Sequence, residues 1–207
     1  MKLIVFGDSV AYGAWDPQGG WVQRLRSELE RKSPQDWIVY NCGVSGDTSR
    51  NLLKRFEAEA KSRSLDPTEG ESAIVICIGG NDSATVNATK TNWVKTDAFR
   101  KNIAALIKKA KEAAEKVAFV GLTPVDEKRV APCPFAPEIS YKNSETKRYE
   151  TIIAEECEKA KVLFLPLFET LSDGWNAMLE DGAHPNAGGH ERICREVLAF
   201  LEKERVV

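Results

Sequence analysis

Two short stretches near opposite ends of the chain hold the residue types that acyl-transfer chemistry requires. GDSVAYG carries Ser9 between Gly7 and Gly13, directly after an apolar run, and DGAHPNAGG carries Asp181 three residues before His184. A serine hydroxyl is a weak nucleophile until a base takes its proton, and histidine is the usual base because its pKa lies near neutrality. The chain has two histidines, His184 and His190. Pro185 biases His184 away from helical backbone and onto a loop from which its ring can reach a partner. His190 follows Gly188 and Gly189 and falls in the first turns of a final helix, so His184 is the expected base. Asp181 at this spacing can hold the imidazole in one tautomer through its second nitrogen. It can equally shape an Asx turn before Gly182, and the two uses are compatible. Standing alone, Ser9 reads as a strand-end serine capping a turn and His184 as a surface-loop histidine. The flanking glycines favour a tight exposed turn at Ser9 that a substrate can approach. Asp8 points differently from its neighbour and reads as structural.

These residues need elements that bring them together. Five apolar runs recur: Leu3 to Phe6, Trp37 to Cys42, Ala73 to Ile78, Val117 to Gly121, and Val162 to Leu167. Short continuous runs of this kind, with helical patterns between them, predict buried parallel strands joined by crossover helices. Ile103, Leu106, Ile107, Ala110, Ala113, Ala114 and Val117 recur at three- and four-residue steps as one helix stripe. Tyr149, Ile152, Ile153, Cys157 and Ala160 form another, and Ile193, Val197, Leu198 and Leu201 a third. Right-handed crossovers put helices on both sheet faces, which predicts an α/β/α sandwich with about five central parallel strands. A closed eight-stranded barrel needs more chain, typically about 250 residues. Pro124 to Ser140, with Pro132, Pro134 and Pro137, reads as an irregular excursion after the fourth strand, of a length that is often functional.

Ligands in such sheets sit at the carboxyl ends of the strands. The second run opens there into GVSGDTS, with Gly46, and the third into GGND, with Asn81. Gly46 reads as a turn glycine with positive φ, a conformation that also turns a backbone N–H outward. Asn81 reads as a turn or cap residue whose amide can stabilise charge in a tetrahedral state.

Taken together and in this order, GDSV, GVSGDTS, GGND and DGAHPNAGG resemble the SGNH hydrolase superfamily of GDSL-type esterases and lipases. The first block has valine where the family name has leucine, an apolar exchange at a supporting position. The resemblance implies a flavodoxin-like α/β sandwich spanning residues 1–207 as one catalytic domain. It implies Ser9 as nucleophile with Asp181 and His184 completing a triad, and Ser9, Gly46 and Asn81 as the oxyanion hole. The implied partner is a small-molecule ester. Lysophospholipase, thioesterase and carbohydrate acetylesterase activities share these blocks.

Composition narrows the rest. Apolar residues make up 43% and charged residues 29% of 207, the balance of a soluble globular chain. A net charge of −2 gives no reason to expect nucleic acid. No window approaches a membrane span and no signal h-region is evident, so a cytoplasmic location is expected. Five widely spaced cysteines and two histidines form no metal-ligand pattern, and no metal or cofactor is expected. Cys42 and Cys77 read as core residues and Cys133, in APCPFAP, as an accessible loop thiol. A flavin- or nucleotide-binding module is the competing reading, but GDSVAYG matches no phosphate-cradling loop. The loops Ser83 to Thr96 and Pro124 to Ser140 are too polar for an apolar lid, which favours short acyl chains over long ones. Trp15, Trp93 and Phe135 are candidates for flanking a flat leaving group.

Overall fold

The computed structural model describes residues 1–63 and 71–207. The five apolar runs form one parallel sheet from β1 (Lys2–Gly7), β2 (Ile38–Gly43), β3 (Ser72–Cys77), β6 (Lys116–Val120) and β8 (Leu163–Leu165). Its order is β2-β1-β3-β6-β8. Successive β1 side chains alternate between two cores, and both are closed by helices. Leu3 and Val5 pack with Trp21, Leu25, Ile193 and Val197, from α2 (Gly20–Lys32) and α9 (Ala187–Lys203). Ile4 and Phe6 pack with Leu52, Phe56, Phe99, Ile103 and Tyr149, from α3 (Ser49–Arg63), α5 (Thr96–Ala113) and α7 (Asn143–Ala160). Burial on both faces is the reason β1, β3 and β6 read as unbroken apolar runs, whereas the edge strands β2 and β8 are only partly buried. No helix among the described residues is long and apolar enough to cross a membrane.

The chain leaves β1 toward β2 and then crosses back to β3 on the other side. Winding reverses there, which opens a crevice at the carboxyl ends of β1 and β3. Ser9 follows β1 and Asn81 follows β3, so the topology alone brings both to that crevice.

Three local expectations are corrected. The stripe through Ile103 and Ala110 ends with α5 at Ala113, and Ala114 is its cap. Val117 lies in β6. It packs into the same core as the helix, and no glycine or proline between Ala114 and Val117 signals the break. Pro124 to Ser140 is irregular over most of its length but not throughout. It holds α6 (Glu127–Val130), capped by the Asp126 carboxylate on the Lys128 N–H. It ends in β7 (Ile139–Ser140), which pairs antiparallel with β4 (Thr85–Val86), itself paired to β5 (Thr91–Asn92). Two-residue strands are too short to show a period. Cys133 is buried beside Val130, Ile139 and Tyr141 in the core of this small unit, not accessible.

The carboxyl ends of β6 and β8 are tied by a buried acid from the helix layer. Glu150 Oε1, on α7, accepts the backbone N–H groups of Leu122 (3.0 Å), Leu167 (2.9 Å) and Phe168 (3.0 Å). Gly121 makes room for it, since a Cβ there would lie 2.0 Å from Glu150 Oε1. Replacing Glu150 by alanine would strand three N–H groups at about 1–3 kcal/mol each if none found water. Glu150→Ala is therefore expected to lower unfolding free energy by at least about 3 kcal/mol in urea titration, with Glu150→Gln, which keeps an acceptor oxygen, much closer to the native protein. Equal losses in the two variants would contradict this role.

Candidate active site

Ser9 is the first residue of α1 (Ser9–Tyr12), a single turn set up by its neighbours. The Asp8 carboxylate accepts the Val10 N–H at 3.0 Å, the structural role expected of it. The end of β2 passes against this turn at Gly43, where a Cβ would lie 2.2 Å from the Tyr12 nitrogen. Only glycine permits that approach. Ser9 is not on an exposed turn: it is 6% exposed and opens into a cavity.

His184 and Asp181 lie on a hairpin-like loop before α9, closed by Glu180 N–H to His184 O and Asn186 N–H to Met178 O, each 2.8 Å. Arg129 of α6 grips the loop from outside by donating to the carbonyls of Leu179 and Glu180. His184 Nε2 lies 2.8 Å from Ser9 Oγ, and His184 Nδ1 lies 2.7 Å from Asp181 Oδ2. Asp181 Oδ1 accepts the backbone N–H groups of Ala183 (2.9 Å) and His184 (2.8 Å), the Asx turn expected at this spacing. Burial works to raise the Asp181 carboxyl, but hydrogen bonds from the His184 ring, the His184 backbone and Ala183 outweigh it and hold the group well below the carboxylate range.

Asp181 has a further donor that the sequence did not reveal. The Trp15 indole N–H reaches Asp181 Oδ2 at 2.8 Å, and its ring stands edge-on to His184 with centroids 6.2 Å apart. Trp15 has a left-handed φ of 66°, uncommon for a bulky residue. Its neighbours are anchored on both sides. Buried His190 donates from Nε2 to Ala14 O (3.0 Å) and accepts the Trp21 N–H at Nδ1 (3.3 Å), which assigns its neutral tautomer. Asp16 pairs with Arg24 through Nε at 2.8 Å and Nη2 at 3.2 Å. The second histidine thus holds the Trp15 loop. Phe135 lies 5.4 Å from the His184 ring on centroids. Trp93 does not join them: it is exposed, with its backbone N–H bonded to Ala84 O in the small sheet.

Asn81 is in α4 (Gly80–Ser83). Its Nδ2 donates to Asp47 O and its Oδ1 accepts the Tyr141 hydroxyl, both at 2.9 Å. Gly46 has φ 84°, as its turn requires. The loop carrying it is clamped by Arg55, whose guanidinium bonds Asp47 Oδ2 (2.6 Å), Cys42 O (2.9 Å) and Gly7 O (3.0 Å), joining the ends of β1 and β2. Beneath Asn81, buried Asp82 accepts the Ser49 N–H at 2.8 Å and pins the start of α3.

A small cavity of about 50 Å³ opens on Ser9, Asn81 and His184. Cys77, Leu122, Val125, Tyr141 and Thr146 form part of its wall. Gly46 is not among its lining residues; its neighbour Asp47 supplies the carbonyl that accepts the Asn81 amide. Burial pushes the Cys77 thiol well up, so the cavity holds no thiolate.

A family model described as the GDSL-like Lipase/Acylhydrolase family matches residues 5–192. No curated protein is matched. Among solved structures, an acetylxylan esterase from Geobacillus stearothermophilus is similar at 21% identity and TM-score 0.74, over 97% of this chain and 93% of that one. A lipase/acylhydrolase from Enterococcus faecalis is similar at 20% identity and TM-score 0.74, over 98% and 96%. An alpha/beta hydrolase enzyme from the metagenome of Lake Arreo, Spain, is similar at 19% identity and TM-score 0.72, over 97% and 94%. Catalytic mutants of the Geobacillus esterase replace a serine, an aspartate or a histidine, the aspartate three residues before the histidine.

Burial raises the Asp8 carboxyl to about 6, with Val10 and His184 acting against the shift. An acid whose folded pKa is raised stabilises the fold below its unfolded pKa, near 4, and loses that contribution as pH rises through about 6. Asp181 and Asp16 are lowered and act in the opposite sense, below about pH 4. Asp8→Asn keeps an acceptor for Val10 without a charge to bury. Its Tm relative to the native protein is expected to improve between about pH 4.5 and pH 8. A Tm difference that stays constant across that window would contradict the assignment.

Proposed function

The chain belongs to the GDSL-like lipase/acylhydrolase family and is a carboxylic ester hydrolase; from that premise we propose that it hydrolyses esters of short acyl chains through an acyl-enzyme on Ser9. The observation that carries this reading is the unbroken line Asp181–His184–Ser9, with steps of 2.7 and 2.8 Å, ending at a small cavity. Ser9 Oγ adds to the ester carbonyl as its proton passes to His184 Nε2. Asp181 stays ionised, holds Nδ1–H and stabilises the imidazolium. The imidazolium protonates the leaving alkoxide, and the released alcohol gives way to a water. That water loses a proton to Nε2 as it attacks the acyl-enzyme, and the second tetrahedral state collapses by breaking the Ser9 Oγ–acyl bond, freeing the acid as His184 returns the proton to Ser9 Oγ. The serine, aspartate and histidine replaced in catalytic mutants of the Geobacillus esterase support the assignment, with the same Asp-to-His spacing as Asp181 and His184.

The negative charge of the tetrahedral state is met by the backbone N–H groups of Ser9 and Gly46 and by Asn81 Nδ2. Among the described residues the two backbone N–H groups bond to no protein acceptor. The Asn81 amide carries a second hydrogen beyond the one given to Asp47. Donors fixed before the reaction cost no reorganisation when charge develops.

The size of the cavity supports a short acyl chain. The cavity of about 50 Å³ beside Ser9 is small, and Cys77, Leu122 and Tyr141 bound part of it. A long chain would leave its methylenes in water and forgo about 0.8 kcal/mol for each.

A second reading concerns the alcohol. Tyr12 and Trp15 are 58% and 60% exposed and line an open groove with Pro17, Glu180 and Asn186. Flat amphipathic faces beside polar side chains suit a sugar ring, and the similarity to an acetylxylan esterase supports acetylated carbohydrate as substrate.

Aryl acetyl, butyryl, octanoyl and palmitoyl esters below their micellar limits test the acyl reading. The value of kcat/KM is expected to be highest for acetyl or butyryl and to fall steeply by octanoyl, whereas a maximum at octanoyl or longer would contradict it. Acetylated xylo-oligosaccharide turned over faster than aryl acetate would favour the sugar reading.

A further inference from the structure

We propose that Tyr141 is a positioning residue for the oxyanion donor, its hydroxyl fixing the Asn81 amide so that nitrogen rather than oxygen faces the reacting carbonyl. This rests on the assignment of Asn81 as an oxyanion donor. A carboxamide has two ends of nearly the same shape and opposite electrostatic sense. Turned one way Asn81 offers a hydrogen to the developing oxyanion; turned the other way it offers a lone pair, which repels that charge. The partners must therefore decide the orientation.

They decide it from two sides. Asp47 O is an acceptor only, and it takes one Nδ2 hydrogen at 2.9 Å. The Tyr141 hydroxyl, 2.9 Å from Oδ1, supplies the complementary donor. A flipped amide would set carbonyl oxygen against carbonyl oxygen at Asp47 and would force the phenol to reverse its role. Burial pushes the Tyr141 phenol well up, so it remains a donor through the working range of an esterase. Tyr141 itself is 8% exposed, leaving little water to replace it.

Tyr141 belongs to none of the four blocks that carry the other site residues. It is delivered by the small antiparallel unit. Asn81 in α4 leads directly into β4, where Thr85 pairs with Ser140 of β7, and Tyr141 follows at once. Its backbone N–H is bonded to Val130 O at 3.0 Å. The register of β4 against β7 thus sets the distance between the amide and the phenol, and this gives the excursion after β6 a task at the site.

The test is a double-mutant cycle with aryl acetate, each variant's folded fraction checked by circular dichroism. Tyr141→Phe keeps the ring and the cavity wall and removes only the hydroxyl. It is expected to lower kcat about tenfold with KM little changed, the size of one lost hydrogen bond. Asn81→Ala is expected to lower kcat by about 10²- to 10³-fold. Adding Tyr141→Phe to Asn81→Ala is expected to cost nothing further, because the amide it orients is gone. A merely structural role would give the same loss in both backgrounds. That outcome, an unchanged kcat for Tyr141→Phe alone, or a rise in KM in place of the fall in kcat would overturn the proposal while leaving Asn81 as a donor. If Asn81→Ala keeps native kcat, the oxyanion reading fails first and the role of Tyr141 falls with it.

Discussion

The Asp181 carboxylate is the group around which the site is built. It accepts two backbone N–H groups on one oxygen and the His184 ring and Trp15 indole on the other. A carboxylate with four donors is fixed in place and in charge. The imidazole it holds is thereby fixed too, since one ring nitrogen is committed to Asp181 and the other is left 2.8 Å from Ser9. Each donor has its own support. The backbone pair comes from the Asx turn, and the loop is gripped by Arg129. The indole comes from a loop whose neighbouring residues are pinned by His190 and the Asp16–Arg24 pair. Groups far apart in the chain and with no chemistry of their own converge on one anion.

The sheet supplies the other half of the constraint. Ser9 and Asn81 meet because winding reverses between β1 and β3, and strand ends in a doubly wound sheet leave polar groups that must be satisfied. Arg55 bonds the carbonyls of Gly7 and Cys42 together with Asp47. Glu150 takes three N–H groups at the ends of β6 and β8. Two charged side chains from the same helix layer thus close the strand ends that surround the cavity. Exposed Trp15 and Phe135 stand beside the His184 ring on the outer side of the site.

How much of this was legible in the sequence differed by the range of the interaction. Ser9, Asp181 and His184 could be singled out because their signals are local: a serine after an apolar run, an acid three residues before a histidine, a proline after it. The three central strands were legible because burial on both faces leaves continuous apolar runs, and the two partly buried edge strands because each still keeps a short apolar run. Tyr141 was not legible, since its partner is set by two-residue strands that carry no period. Glu150 and Arg55 are polar positions within helices and look like solvated faces until the strand ends they serve are in place. Trp15 was picked out as an aromatic that could flank a flat leaving group and not for its indole N–H, whose acceptor lies at the far end of the chain. Trp93 was grouped with it on composition alone, and the fold leaves it exposed just after β5, with its N–H on Ala84 O.

The central claim is that Ser9 is the group that carries the acyl chain, and covalent capture tests it most directly. A fluorophosphonate, which phosphonylates an activated serine, should attach once per chain, abolish esterase activity in step with labelling, and appear by mass spectrometry on the peptide containing Ser9. Labelling of any other residue, or full loss of activity with Ser9 unmodified, would contradict the account.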